Sequence, residues 1–190
     1  MRAETPARVW EEPVRGDYPG PHLFFGHSGE EQIRAFLSGL APRPPISHLT
    51  GMHPTEVGPG TSTFEMPASA WLVSPAGWIQ LGTVAILADG PLGCAVQTAL
   101  PAATPYTTAE MSLTAIRPVG SHSGTLTARG RLIHAGRSLG LSEVVVEDGR
   151  GMLVAHGTSR CFIFPSMSAP QAERTDLQPV PAPEYPTPDP

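Results

Sequence analysis

The run from residue 74 to residue 100, SPAGWIQLGTVAILADGPLGCAVQTAL, is the longest stretch of low polarity in the chain. It holds a single carboxylate, Asp89, far in sequence from any basic residue. Val84, Leu87, Ala88, Pro91, Leu92 and Ala95 recur at the spacing of one helix face, while Ala85, Ile86 and Cys94 make the opposite side apolar as well. The pattern predicts a buried helix. A helix that is apolar all round must be enclosed by something large, and an acid inside it ionises at a cost, finds hydrogen-bond partners or serves chemistry.

The rest of the chain is expected to supply the enclosure. With 190 residues it is long enough for one domain with a substantial core. The net charge of -5 and the lack of any Arg-rich cluster leave no electrostatic footprint for nucleic acid. Both cysteines, Cys94 and Cys161, lie within apolar runs, so a disulfide scaffold is not indicated and a reducing, cytoplasmic setting fits. No apolar run is long enough to span a bilayer, and MRAETPARVWEEPVRGDYPG at the amino terminus lacks a signal peptide's apolar core. No membrane partner is expected.

Three regions are expected: an amino-terminal arm over residues 1–45, a main domain over 46–165 and a Pro-rich, disordered tail over 166–190. Residues 1–27 read as irregular, with scattered aromatics such as Trp10 and Phe24. Ser28 followed by Glu31 is a capping-box signature ahead of Ile33, Phe36, Leu37 and Leu40, which predicts a short amphipathic helix ending near Gly39. Residues 46–58 carry His48, His53 and Glu56 among turn formers. The two histidines match no metal-ligand spacing and read as loop or strand-edge residues.

From Gly60 the period changes to two. Strands are predicted at residues 61–66, 107–116, 125–134, 138–147 and 152–164, with turns at Ala135-Gly136-Arg137 and Asp148-Gly149. The order is one strand, the long helix, then four strands expected to form a meander by their short connections. The helix should lie on one face of the sheet, its outer side meeting another chain or the amino-terminal arm.

SPAGWIQLGTVAILADGPLG, TTAEMSLTAIRPV and GRGMLVAHGTSRCFIF together resemble the hotdog-fold acyl-CoA thioesterases of the phenylacetate-degradation (PaaI-like) group, over roughly residues 46–164. Pro75, Gly77, Gly82, Asp89 and Arg117-Pro118 match the family pattern, whereas Ser74 replaces its Asn, Gln80 its His and Leu81 its first Gly. The resemblance implies an α+β fold in which a curved antiparallel sheet wraps a long central helix, with an amino-terminal helical extension. It also implies a homodimer or homotetramer with sites at the subunit interface, and an acyl-CoA or acyl-carrier-protein thioester as substrate, with coenzyme A entering only as part of it and no resident cofactor or metal.

In that family the helix amino terminus is an oxyanion hole, so Gln80, Leu81 and Gly82, with Ser74 before them, become site candidates. Gln80 donates a hydrogen bond as His would but carries no proton near neutrality. Asp89 takes the part of the family carboxylate, which attacks the carbonyl or activates water. Its alternative is a structural carboxylate at the Gly90-Pro91 break. Thr108 falls near the family hydroxyl that orients the acid, with Thr107 an equally good register. Arg129, Arg131 and Arg137 suit coenzyme A phosphates or a solvated sheet face. Glu110 and Glu143 read as exposed strand carboxylates, and His122, His134 and His156 form no arrangement with a paired acid or Cys. Hydrolysis is the leading reading. A tailoring step on a bound thioester and a non-catalytic acyl-thioester binder are its alternatives.

Overall fold

Helix start signals and period-two alternation set most of the architecture. The computed structural model describes residues 14–168. Trp10 and nearly all of the carboxy-terminal tail lie outside them. The elements are α1 (Pro21–Gly26), α2 (Gly29–Leu37), α3 (Pro45–Thr50), β1 (His53–Gly58), β2 (Thr61–Pro67), α4 (Leu81–Gln97), β3 (Tyr106–Ala115), β4 (Thr125–Ala135), β5 (Leu139–Glu147) and β6 (Leu153–Ile163). The capping box at Ser28 forms, with the Ser28 amide donating to Glu31 Oε2 at 2.7 Å.

Six antiparallel strands make one sheet in the order β1-β2-β4-β5-β6-β3. Two expectations are corrected here. Residues 46–58 are not simply turns: they form α3 and the edge strand β1, which Pro54 and Gly58 hide from a period-two reading. The last four strands are also not a simple meander. The inner edge of β4 is taken by β2, from Thr61 opposite Arg131 to Pro67 opposite Thr125. Strand β3 therefore pairs with β6 at the far edge. The chain reaches β4 through residues 116–124, where the Ile79 amide donates to Val119 O at 2.8 Å. A third correction concerns the arm, which contains the helical turn α1 where irregular chain was expected.

α4 lies in the concave face of the sheet. Val84, Leu87, Ala88 and Leu92 bury against Phe64, Met66, Leu126, Ala128, Val144, Val146 and Val154. Each fully buried leucine contributes about 1.5–3 kcal/mol. Pro91 donates no N–H to the preceding turn. Strand hydroxyls reach the carbonyls beyond it, Ser62 Oγ to Pro91 O at 3.0 Å and Ser142 Oγ to Leu92 O at 2.9 Å. Gly130 and Gly140 permit this closeness: a Cβ at Gly140 would stand 2.5 Å from Val96 Cγ1, and one at Gly130 would meet the Pro91 carbonyl.

The burial expected all round α4 is not found within one chain. Leu81, Gly82, Ile86 and Asp89 remain exposed along one stripe, because the sheet packs on the other face of the helix, the one that carries Val84, Leu87, Ala88 and Leu92. Among the described residues no helix is long and apolar enough to cross a membrane.

The β5–β6 turn carries a titratable anchor. Asp148 Oδ1 accepts from the Met152 amide at 3.0 Å and the Arg150 amide at 2.9 Å, and these bonds hold its carboxyl below the usual carboxylate range. A depressed folded-state pKa means the stabilisation is complete above the unfolded value near 3.8 and disappears as pH falls through the folded value. Thermal melts between pH 2 and pH 6 are expected to show a smaller acid-side loss in Asp148→Asn than in the wild type. Parallel curves for the two proteins would remove Asp148 from the account.

Candidate functional site

The loop before α4 is a folded-back segment. Ser69 Oγ accepts from the Trp71 amide at 3.3 Å, and residues 70–72 make a single 3-10 turn. Val73 then pairs with Ile79, and the Ser74 amide donates to Trp78 O at 2.8 Å. Gly77, at φ +84°, closes the turn by donating to Ser74 O at 2.9 Å. Ser74 is thus a turn residue that sets where the helix begins.

The N-cap of α4 is Gln80, whose side chain makes no capping bond, and no acid occupies the first turn. The amides of Thr83 and Val84 both donate to Gln80 O. Those of Leu81 and Gly82 belong to the first turn and have no intrahelical acceptor by geometry. Both residues lie on the unburied stripe, where Leu81 is 43 % exposed and a Cβ added at Gly82 would meet nothing within 4 Å. Two N–H groups and the positive end of a 17-residue helix thus face open space with no counter-anion supplied by their own helix.

Asp89 lies further along the same stripe. Thr108 Oγ1 donates to Asp89 Oδ1 at 2.9 Å, and no side chain among the described residues donates to Oδ2. The choice between Thr107 and Thr108 is decided by the pleat: Thr108 faces α4, Thr107 faces outward, and a register shift follows between Thr108 and Glu110. The two clusters are separate within one chain. Seven to eight residues at 1.5 Å rise put the amides of Leu81 and Gly82 about 10–12 Å from Asp89 along the axis.

The arginines are elsewhere. Arg129 and Arg131 lie on the outer face of the sheet, opposite to α4, paired with Glu147 at 3.6 Å and with Glu143 through Arg131 Nε at 2.9 Å. Glu110 pairs with Arg160 on the same face at 3.1 Å. Arg137 occupies the β4–β5 turn and is exposed. Leu139 beside it is in register with Phe162, and Phe162 with Thr107, so this turn closes the end of the sheet nearest Thr108.

One cluster was not anticipated from the sequence. Tyr106 Oη donates to Gln97 Oε1 at 3.0 Å, and Gln97 Nε2 donates to Gln32 Oε1 at 3.1 Å. Cys94 belongs to the same group. Burial, reinforced by the charge of Asp89, pushes its thiol up to about 12, and burial also raises Cys161. Neither cysteine is a thiolate near neutrality, which removes both as nucleophiles. Long sequence separations conceal the cluster, and only the apolar surroundings of Cys94 hint at its inertness. Among the described residues no group of three metal-ligating side chains converges.

No family model matches the chain, and neither does any curated protein. Solved structures do. The phenylacetic acid degradation-related protein from Ralstonia eutropha JMP134 is 25% identical, covers 68% of this chain and 98% of its own, and superposes with a TM-score of 0.63. The PaaI protein of the E. coli phenylacetic acid degradation operon is 17% identical over 64% of this chain and 85% of its own, TM-score 0.57. Thioesterase HI1161 from Haemophilus influenzae is 21% identical over 71% and 90%, TM-score 0.60.

Proposed function

We propose, from the hotdog fold that this chain shares with the PaaI-like thioesterases, that it hydrolyses an acyl thioester to the free acid and thiol. One copy supplies Asp89, and a second copy supplies the amides of Leu81 and Gly82. The observation that carries this reading is the pairing, on one unburied helix stripe, of a hydroxyl-anchored carboxylate with an uncapped helix start. A thioester carbonyl is too small to touch groups about 10–12 Å apart, so hydrolysis at a single carbon needs the two clusters from different chains. A homodimer joined across this stripe also covers Leu81 and Ile86, which are 43 % and 41 % exposed in the single chain.

The steps follow from the groups present. Thr108 holds Oδ1, so Oδ2 of Asp89 attacks the carbonyl carbon or takes a proton from the water that does. The oxygen gains negative charge as the tetrahedral adduct forms, and the first-turn amides of the other copy stabilise it. The adduct collapses and the C–S bond breaks. In the water route the free acid forms and the proton taken by Asp89 passes to the leaving thiolate. Direct attack instead leaves an acyl–Asp89 anhydride that a water then hydrolyses, releasing the acid, freeing Asp89 and supplying the thiolate's proton. Gln80 contributes a hydrogen bond and no proton. Leu81 puts a side chain where the family has none, which narrows the approach to the amides. Closure of the dimer dries Asp89 and strengthens these interactions.

Coenzyme A and an acyl carrier protein both present the required thioester, and no resident cofactor enters the proposal. Arg129 and Arg131, already ion-paired on the outer face, are not assigned to phosphate. Arg137, at the end of the sheet nearest Thr108, takes that part. Thiol release measured with short aliphatic, long aliphatic and aromatic acyl-CoAs tests the reading. Turnover of at least one class, lost in Asp89→Asn, supports it. Saturable binding without thiol release from any class contradicts it and favours a non-catalytic binder.

A further inference from the structure

A second concavity lies where the amino-terminal arm meets the end of α4. It measures about 190 Å³ and is walled by Phe24, Leu100 and Pro105, with Gln32, Gln97, Tyr106 and Thr104 supplying its polar groups, the Thr104 hydroxyl being already engaged with Ser166 Oγ at 2.7 Å. Four separate segments enclose it: the arm, the last turn of α4, the loop of residues 101–105, and the start of β3. Backbone bonds clamp them together, from the Gly29 amide to Leu100 O at 3.0 Å, from the Ala103 amide to Phe24 O at 2.9 Å, and from the Met167 amide to Ala103 O at 2.8 Å. Gly29 is so close to the carbonyl of Gln97 that no side chain fits between them. Ala103 holds a positive φ of 58° in the clamp.

The hydrogen-bond inventory defines what fits. Gln32 Nε2 spends both hydrogens on backbone carbonyls, His27 O at 2.8 Å and Phe24 O at 3.4 Å. Its oxygen accepts from Gln97. Gln97 Oε1 receives the Tyr106 hydroxyl at 3.0 Å and the Cys94 thiol at 3.9 Å. One Gln97 amide hydrogen is left over, and Tyr106 Oη, which also meets the Cys94 thiol, keeps a lone pair to accept with; both side chains line the cleft. No charged side chain lines it, so an ion entering would lose its hydration without a counter-charge. A water occupies roughly 30 Å³, so a cleft of about 190 Å³ leaves room for a ring-sized molecule.

We propose that this cleft is a binding site for a small neutral molecule with an apolar body and one group that both donates and accepts a hydrogen bond, a primary amide or an alcohol. The group takes the spare Gln97 hydrogen and gives its own to Tyr106 Oη, while the body packs on Phe24, Leu100 and Pro105. The site is distinct from the thioester site. Gln97 is eight residues beyond Asp89, about 12 Å along the helix, and the cleft includes neither Asp89 nor Thr108. Nothing in the binding depends on hydrolysis.

The test uses the full chain with benzamide and benzoate, two molecules of one shape that differ in charge. Benzamide is expected to bind saturably, to shift the side-chain amide resonances of Gln32 and Gln97 in a nitrogen-15 spectrum of the wild type, and to raise the melting temperature. Benzoate should bind at least about ten-fold more weakly, and benzamide should lose at least about ten-fold in Gln97→Met, which keeps length and removes the polar group. Asp89→Asn should bind benzamide as the wild type does. The proposal is overturned if the wild-type resonances do not move, if benzoate binds as tightly, if Gln97→Met binds benzamide undiminished, or if Asp89→Asn abolishes binding. The wild-type spectrum decides the matter even if Gln97→Met fails to fold.

Discussion

Asp89→Asn is expected to lower thiol release by about 10³-fold, within the 10²–10⁴ range of a positioned general base, with little change in melting temperature. The substitution keeps size and leaves an oxygen for the Thr108 hydroxyl, so the 2.9 Å bond to Oδ1 has a counterpart. What disappears is the negative charge at Oδ2, which in the proposed mechanism either attacks the carbonyl or draws the proton from water. The Thr108 bond is retained and an uncharged Asn loses less than Asp when the dimer dries the site, so the expected loss of stability is about 0.5 kcal/mol or less. In a chain of this length that is about 2 °C. Thiol release and thermal melting on the same preparations separate the two effects. Unchanged release would refute a chemical role for the carboxylate, and a collapse of stability would recast Asp89 as the structural residue at the Gly90-Pro91 break.

The largest stability effect is expected at Gly130, in the middle of β4. This strand passes α4 where Pro91 has opened the helix, and the strands on either side of it hold the helix close, β2 through Ser62 Oγ to Pro91 O and β5 through Ser142 Oγ to Leu92 O. A Cβ at Gly130 would stand 2.5 Å from the Pro91 carbonyl carbon and closer still to its oxygen. Both partners are backbone, so no side chain rotates away and one whole element must move. Overpacked cores lose about 1–3 kcal/mol, occasionally more, and a backbone-on-backbone clash belongs at or beyond the top of that range. Gly130→Ala should therefore melt at least about 6–12 °C below the wild type. Gly82→Ala, whose Cβ meets only open space, is the matched control. Equal melting temperatures for the two variants would show that α4 and β4 are not in the described contact.

How far the sequence announces this structure depends on whether a signal is local. The Ser28 capping box, the long apolar helix and the alternating strands are written in neighbouring residues, and they appear as expected. Strand β1 is not so written. It contains Pro54 and Gly58, is half-buried through most of its length and shows no alternation. The sheet order was hidden for a different reason: adjacent strands in sequence pair only about two-thirds of the time, and β2 had already taken the edge of β4 that a meander would give to β3.

The candidate site divides the same way. Family likeness pointed to Asp89, Thr108 and the start of α4, and the pleat of β3 settled Thr108 over Thr107 as the partner of Asp89. The exposure of Asp89 was not legible, because an all-apolar helix face records what covers it without saying whether the cover is the same chain or another. The Gln32–Gln97–Tyr106 chain was invisible, since Gln32 and Gln97 are 65 residues apart and glutamine carries no sequence signature for burial.

In the proposed mechanism one catalytic centre draws on two copies of the chain, and subunit mixing tests this directly. Leu81→Pro removes one first-turn amide at the helix position where proline is best tolerated. Gln80 before it, at φ -63° and ψ 142°, already has the extended conformation that a following proline requires. Alone, Leu81→Pro should lose about 10²–10³-fold in turnover, and Asp89→Asn about 10³-fold. When the two are denatured, mixed in equal amounts and refolded, about half of the dimers are mixed, and one of the two centres in each has both Asp89 and its amide donor. About a quarter of wild-type thiol release should return. Recovery to that level is the expected result. A mixture no more active than its two parents, despite proven subunit exchange, would place both groups within one chain and contradict the account.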